Sequence, residues 1–454
     1  MIKKEDSRQL GWRIHGFLAL LVVTYAGSFM GRQIMSVMIE PIKLEFNASD
    51  TAMGLISGLA FAVVYAFLGL PAGRLSDRHA RTRVLAITLG LWAFATLLCG
   101  FSVSFWMLIV ARMLVAAAEA PVTPASLSLI SDLYPPHRRS LAISCFTGAP
   151  TISSIVGLSA GAWVIDAYGW RTGFFVIGTP LVLMSLIFAL VIREPVRGKW
   201  DLGGGLEPPR EGLYKAALTL IRNRGCAMLI GASAITTFGA FSFAMWNTAF
   251  LVRSHELSLQ HAGILAGVVT GLSAAVGSLF SGWLTDRLSA RNRAWLVRIP
   301  LFGHFMATSA MIAYLLSPAG IAFTFAGVPV PTAMFWCALS GFFTVFWVGP
   351  SFNLLTQLVT QWQRATVIAL QTVFTTLLGV GLGPLVTGAL SDALIPYAGE
   401  ESLRYALVIV TFTIVIPMLM LWSLLRTRPW QNEPGQQHDT GTQPDFTPLP
   451  ETNS

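Results

Sequence analysis

Charge is what this sequence has least of. Only 11% of its 454 residues are Asp, Glu, Lys or Arg, while 54% are hydrophobic; soluble domains carry about 25% charged residues. A soluble fold of this size could not cover its surface with so few polar groups, and a mean hydropathy of +0.64 indicates lipid surroundings. A soluble enzyme, a disordered protein and a nucleic-acid binder are excluded. Cysteine is scarce too. Cys99, Cys145, Cys226 and Cys337 each stand alone in apolar stretches, so neither a disulfide framework nor a metal site is indicated. The seven histidines (His15, His79, His137, His255, His261, His304 and His438) show no ligand spacing, and most sit near the ends of apolar runs, where a solvated or interfacial role is expected. No GxxxxGK[ST] phosphate loop occurs, which disfavours ATP-driven pumping by this chain alone.

What is present is a series of long apolar runs. A bilayer core about 30 Å thick needs roughly 20 apolar residues per helix, and that ruler predicts twelve spans: 15–39, 52–73, 84–103, 105–130, 139–165, 172–193, 225–252, 262–285, 294–316, 332–357, 364–390 and 403–426. The first passes through Ala26-Gly27-Ser28, which resembles a signal-cleavage site, but continues beyond it and reads as an uncleaved span. The expectation is an all-α integral membrane protein of two pseudo-symmetric six-helix halves, 15–193 and 225–426. A cytoplasmic tail (1–14) precedes them, a cytoplasmic linker (194–224) joins them, and a disordered cytoplasmic tail (427–454) follows. Lys and Arg placement sets the orientation. With the N-terminus inside, 24 of the 30 basic residues fall in cytoplasmic segments and four (Lys43, Arg171, Arg253 and Arg404) in outer loops. Both termini are thus expected in the cytoplasm, in the cytoplasmic (inner) membrane, and the net charge of +8 reflects topology.

An internal repeat supports the two halves. Gly73-Arg-Leu-Ser-Asp77-Arg78, with Arg81 and Arg83 behind it, follows the second span; Gly282-Trp-Leu-Thr-Asp286-Arg287, with Arg291 and Arg293, follows the eighth. Gly161 and Asp166, ending span five, are echoed by Gly388 and Asp392, ending span eleven. Duplicated motifs in matching loops are typical of secondary transporters.

These repeated loops resemble the signature of the major facilitator superfamily, and further stretches are similar to its Spinster-like branch. They include Gly31-Arg32-Gln33-Ile34 with Ile39-Glu40-Pro41-Ile42-Lys43, Ala111-Arg112 through Glu119-Ala120, and Thr123-Pro124-Ala125. Ser131-Asp132 through Arg138-Arg139, Tyr168-Gly169-Trp170-Arg171, Gly349-Pro350 and Gly381-Leu-Gly383-Pro384 complete the resemblance, which covers residues 15–426. It implies a twelve-helix fold working by alternating access. It also implies that Asp77 meets a helix N-terminus of the other half, and Arg81, to close the cytoplasmic side. One departure stands out: related members usually carry Asp immediately before the arginine equivalent to Arg32, where this chain has Gly31. Either Glu119 alone carries the proton, or coupling is altered, or the protein is a facilitator.

Of the 22 acids only Glu119 lies deep in a span, about fourteen residues into the fourth. An ionisable group there is a functional-site candidate by default. Its candidate partners are Arg32 and Arg112. Arg112 precedes Glu119 by seven residues, roughly 10 Å along one helix, far for an ion pair; its other reading is a bond to carbonyls between helices. If Arg32 engages Glu119 in the empty protein, an anionic substrate that displaces the carboxylate leaves it free to take a proton, coupling the two. Possible cavity-lining residues are Gln33, Trp246, Asn247, Phe346, Asn353, Gln357 and Gln371; Phe335, Phe342 and Phe346 fall at helical spacing, a stripe that packing or lipid contact also explains.

The function expected is proton-coupled secondary transport of a small organic anion with an apolar or aromatic body. The alternatives are a Spinster-like exporter or flippase of lysolipid or sphingoid molecules and, from another class, a non-transporting sensor or scaffold. The expected partners are the substrate, protons and the bilayer, for a monomer without cofactor, metal or nucleic acid. It is not expected to be an enzyme, because no second acid or nucleophile–base set accompanies Glu119. The topology is directly checkable: green fluorescent protein fused after Ser454 should fluoresce and alkaline phosphatase fused there should be inactive. The reverse pattern would invert the assigned orientation.

Overall fold

The computed structural model describes residues 11–197, 213–359 and 363–428. Among these, eleven stretches are long and apolar enough to cross a membrane: Ile14–Phe46, Asp50–Gly69, Arg81–Gly100, Phe105–Leu133, Leu141–Tyr168, Trp170–Leu190, Arg224–His255, Leu259–Ser289, Trp295–Leu316, Ala333–Gln357 and Thr366–Thr427. The last is 62 residues long and turns back at Gly399, whose φ of +55° suits glycine. It supplies two crossings, Arg364 to Ala398 and Ser402 to Thr427, so the twelve expected spans are present.

Local chemistry sets the helix ends. Asn47, left-handed at φ 48°, closes span one; Ser49 then starts span two by accepting a hydrogen bond from the Ala52 amide. Asn223 and Ser258 cap spans seven and eight in the same way. Span four breaks between Phe105–Glu119 and Val122–Leu133, where Pro121 removes an amide donor.

Three details differ from the expectation. Span one continues as helix seven residues past Ile39, through Pro41 to Phe46, so Glu40, Lys43 and Glu45 ride on a helix. The linker carries a helix, Leu213–Arg222, whose Leu220 is buried with Cys226, Leu229 and Val367; a ten-residue helix is too short to register among apolar runs. The connection after span nine is a β-hairpin, Ile321–Phe325 paired antiparallel with Val328–Pro331. Residues 1–10 of the N-terminal tail, 198–212 of the linker and 429–454 of the C-terminal tail lie outside the described residues.

The halves meet through glycine. Gly263, Gly267 and Gly271 repeat at every fourth position of span eight and face span five: a Cβ on Gly263 would meet Ala162 Cβ at 2.2 Å, and one on Gly271 would meet Ile155 Cγ1 at 2.5 Å. In spans two and eleven a Cβ on Gly54 would meet the Pro384 carbonyl at 2.4 Å, and one on Gly388 the Asp50 carbonyl at 2.2 Å. Small residues permit such approach because dispersion and packing, rather than a hydrophobic force, join helices in lipid. Next to these contacts each helix widens into a π-helical stretch, Leu55–Leu59 and Thr375–Leu382, and Gly58 lies against the Gly381 carbonyl.

A polar latch closes this interface at the end bearing Asp50. Asp392, ending span eleven's membrane passage, accepts hydrogen bonds from the Asp50 amide (3.0 Å) and from the Thr51 amide and hydroxyl (2.7 and 2.6 Å). It thereby caps the N-terminus of span two from the other half. Asp50, 1% exposed, pairs with Lys43 at 2.6 Å, accepts two hydrogen bonds from Arg253 (2.7 and 2.9 Å) and one from Ser391 (2.7 Å). Arg253 also donates to Glu40 at 2.8 Å. Asp392→Ala should weaken the latch by about 1 kcal/mol, a typical capping value, moving the closed-to-open ratio roughly fivefold. Electron–electron distance distributions between spin labels at exposed Leu44 and Tyr397 should gain a longer component; an unchanged distribution would contradict the latch.

Candidate functional site

The two breaks in spans one and four bring the central charges together. Arg32 sits in the last turn of Trp12–Gln33, just before the turn at Ile34; Glu119 ends Phe105–Glu119. Ser28 and Arg32, four residues apart, share a helix face. Both Arg32 Nε (2.9 Å) and Nη2 donate to Glu119 Oε1, as does the Ser28 hydroxyl. All three converge on one oxygen, and among the described residues no hydrogen bond is made to Oε2. Arg32 Nη2 also donates to Ser28 at 3.0 Å. The Glu119 side chain is 2% exposed and that of Arg32 16%. Aromatic faces complete the enclosure: Arg32 Cζ lies 4.8 Å from the Phe29 ring, 5.2 Å from Phe61 and 5.1 Å from Tyr65.

Arg112 does not join the pair. It donates to the Gly31 carbonyl at 3.4 Å, packs 5.6 Å from Phe61, and its Nε is buried without a partner. Seven residues of helix separate it from Glu119, as its spacing implied. A Cβ at Gly31 would meet nothing within 4 Å, so space does not exclude a side chain there. Two guanidinium groups and one carboxylate therefore occupy this interior, which carries an excess positive charge.

Beside the pair, between the halves, is a cavity of about 370 Å³. Phe29, Gln33, Ser154 and Leu158 form its wall in the first half; Thr236, Phe243, Asn247, His304, Met311 and Thr344 are among its residues in the second. Arg32 and Glu119 are not among the lining residues. Arg32 reaches the cavity through Phe29, which touches both. Gln33 donates to Ser154 at 3.2 Å, and Asn247 accepts from Tyr314 at 2.7 Å.

The other sequence candidates serve packing or sit elsewhere. Trp246 is fully buried and donates to the Pro384 carbonyl at 3.0 Å, bracing spans seven and eleven. Phe346 is buried among Phe280, Phe342 and Phe343, and Phe335 is exposed, so the aromatic stripe is packing and lipid contact. Gln371 is buried and donates to Ser233 at 2.8 Å. Asn353 and Gln357 are exposed and bond each other at 2.6 Å. Each is buried within the second half, Gln371 with its Oε1 left unpaired among the described residues, or is exposed, distinctions for which helical spacing carries no signal.

The residue that sequence reasoning missed is His304. It lies mid-span, 3% exposed, on the cavity wall, with one ring nitrogen 3.2 Å from the Thr236 hydroxyl. Its position ten residues into the predicted ninth span was the available signal; the grouping of histidines with span ends concealed it.

The loop residues are also rearranged. Gly73 and Asp77 are in the last turns of span two, but Asp77's side chain lies outside those described. Arg81 does not bridge the halves. Its guanidinium holds Asp132 and the Ser128 hydroxyl (2.9 Å) of the first half and Glu194 (2.8 Å) at the start of the linker. Burial raises the Glu194 carboxyl, but the Thr82 amide and hydroxyl and the Arg81 guanidinium outweigh it and hold the group below its ordinary value. This tie is therefore present at neutral pH and is lost only as the pH falls through that lowered value. Arg78, Asp286 and Arg287 are exposed, with Arg287 5.6 Å from the Trp283 ring, and Gly282 has open space beside it.

Comparison with known proteins agrees with this architecture. The sequence model of the Major Facilitator Superfamily matches residues 21–377. An MFS-type efflux pump of Mycolicibacterium smegmatis is 31% identical over 398 residues, covering 88% of each chain. Protein spinster homolog 1 of Rattus norvegicus is 28% identical over 399 residues, covering 84% of this chain and 74% of that one. A bacterial homologue of the human lysosomal transporter Spinster, solved in an inward-facing and unoccupied conformation, superposes with a TM-score of 0.82 at 25% identity, covering 91% of this chain and 97% of that one. With twelve spans in two glycine-joined halves and these relatives, the chain belongs to the major facilitator superfamily, as a Spinster-like multi-pass membrane transporter and not an enzyme.

Proposed function

We propose that the protein is a proton-coupled secondary transporter of the cytoplasmic membrane that moves a small organic anion with an apolar body by alternating access, working as a monomer. The observation that carries this reading is the arrangement of Glu119, which among the described residues accepts every hydrogen bond on Oε1 and none on Oε2. Arg32 stabilises the ionised carboxylate while the site is empty. An anion that draws the guanidinium toward the cavity, past Phe29, removes that stabilisation. An unpaired carboxylate at this depth costs several kcal/mol, so Glu119 takes a proton, for which Oε2 is available. Substrate and proton are then linked through Arg32. The excess guanidinium charge from Arg112 favours an anion over a cation, and the apolar walls of the cavity suit an apolar body. A membrane potential of 100 mV supplies about 2.3 kcal/mol per charge, and one pH unit about 1.36 kcal/mol per proton.

The latch supports the alternating part. Asp392, at the end of span eleven, caps the start of span two; Asp77, at the end of span two, is expected to cap the start of span eleven when the opposite face closes. With the Asp50 end outside, the orientation that Lys and Arg placement favours, the closed latch corresponds to an inward-facing state, the conformation named for the Spinster homologue. A lysolipid or sphingoid substrate is the second reading, favoured by the apolar cavity and the Spinster relatives.

Uptake into proteoliposomes, across a panel of organic carboxylates and lysolipids under an imposed pH gradient, tests the proposal. Glu119→Gln should abolish gradient-driven accumulation while retaining exchange; accumulation like the unaltered protein's would reject the coupling role. Arg32→Ala should weaken anion binding by about tenfold or more, the scale of one charged hydrogen bond. Equal affinity would reject its role in binding.

A further inference from the structure

The cavity wall contributed by the second half carries one group that the transport reading above leaves unused. His304 is the sole titratable side chain among the described residues that line the cavity, and no Asp, Glu, Lys or Arg lines it. One ring nitrogen is 3.2 Å from the Thr236 hydroxyl; among the described residues no hydrogen bond is made to the other. The rest of this wall is uncharged: Ala307, Met311, Val410 and Ile414 are apolar, and Asn247, Thr308, Ser340, Thr344 and Thr411 add neutral polar groups.

We propose that His304, oriented by Thr236, docks the acidic headgroup of the transported molecule and takes up one proton as that headgroup arrives. A proton on this buried ring in the empty cavity is an unpaired charge among uncharged side chains; an anion without a counter-charge there is likewise unfavourable. Together they form a neutral, charge-assisted hydrogen-bonded pair, so each requires the other. Oxoanions with an apolar body are the ligand class this selects. A neutral molecule gains nothing from the proton, and a fixed cation is repelled by it.

No other charge substitutes for the ligand. On span nine itself, Arg298 is exposed over the Trp295 ring, and Tyr314 is turned to Asn247. Span seven offers Arg224 and Cys226 at one end and Arg253 and His255 at the other. Span ten offers Cys337, buried away from the cavity lining, and span twelve has Arg404, Tyr405 and Arg426 toward its ends. Span eight has His261 near its start and Asp286 and Arg287 near its end. Across the cavity, Arg32 is committed to Glu119, and Cys145 of span five is exposed near that helix's start.

This inference rests on the reading that the cavity holds a transported anion, and a binding measurement separates it from the Glu119 coupling. The probes are naphthalene-2-sulfonate, which stays ionised throughout, and its neutral sulfonamide, titrated against purified protein in detergent between pH 6 and 9. Sulfonate affinity should rise as the pH falls, by up to about tenfold per unit for each proton taken up, while sulfonamide affinity stays flat. His304→Gln should remove one proton's share of the sulfonate slope, leaving only the part carried by Glu119, and keep sulfonamide binding; His304→Asn serves if the glutamine variant does not fold. Thr236→Val should keep the slope with affinity lowered several-fold. A slope unchanged in both His304 variants, or no sulfonate binding at any pH, overturns the proposal. A slope lost in Glu119→Gln but kept in His304→Gln also overturns it, and leaves the Arg32–Glu119 coupling standing. A slope that follows His304 with no gradient-driven transport upholds the docking role and removes the coupling.

Discussion

An ionised carboxylate cannot stand alone in the interior of a membrane protein, and the organisation of the first half follows from that constraint. Glu119 is tolerated because span one delivers Ser28 and Arg32 from a single face to the same oxygen, and because Phe29, Phe61 and Tyr65 surround the guanidinium. The breaks at Ile34 and Pro121 aim the two helices so that the charges meet. In the proposed mechanism such an arrangement has two satisfied states: one with the pair closed, and one in which a ligand takes the arginine and a proton takes the acid. Intermediate arrangements leave a charge exposed to a low dielectric and are disfavoured.

The same economy of charge appears at the interface between the halves. Along most of their contact, spans five and eight, and two and eleven, touch through glycine and backbone, where little holds them in one relative position except shape. Directional interactions are concentrated at the end bearing Asp50, where Asp392 caps a helix of the other half and Arg253 ties Asp50 to Glu40. A contact that is tight in packing but latched at one end is suited to rocking, because opening breaks a few polar bonds and slides glycine faces without exposing a large apolar core.

Much of this was legible in the sequence because lipid imposes simple rules. Twelve spans followed from run length. Glu119 stood out from the rarity of charge at that depth, and Arg32 followed as a candidate partner whose contact the sequence left open. What was not legible depends on direction around a helix or on short elements. Trp246 and Asn247 are neighbours in sequence, yet one braces span eleven and the other lines the cavity, a difference set by rotation about the helix axis. Gln371 and Phe346 carry suitable chemistry but spend it inside the second half. The resemblance implied that Arg81 meets Asp77 in a closure between halves; the Asp77 side chain lies outside those described, and among the described residues Asp132 and the linker's Glu194 hold Arg81. The linker helix Leu213–Arg222 and the hairpin at Ile321–Pro331 fall below the length that apolar runs reveal. His304 was overlooked because histidines were judged as a group rather than by depth.

The central claim is that ligand binding exchanges the Arg32–Glu119 ion pair for a protonated Glu119. Infrared difference spectroscopy of the purified protein, before and after addition of a transported anion, reads this directly. The account predicts a new carbonyl-stretch band of a protonated carboxyl group, with loss of a carboxylate band, both absent from Glu119→Gln. A spectrum in which no carboxyl group gains a proton, or in which the band persists in that variant, would contradict it.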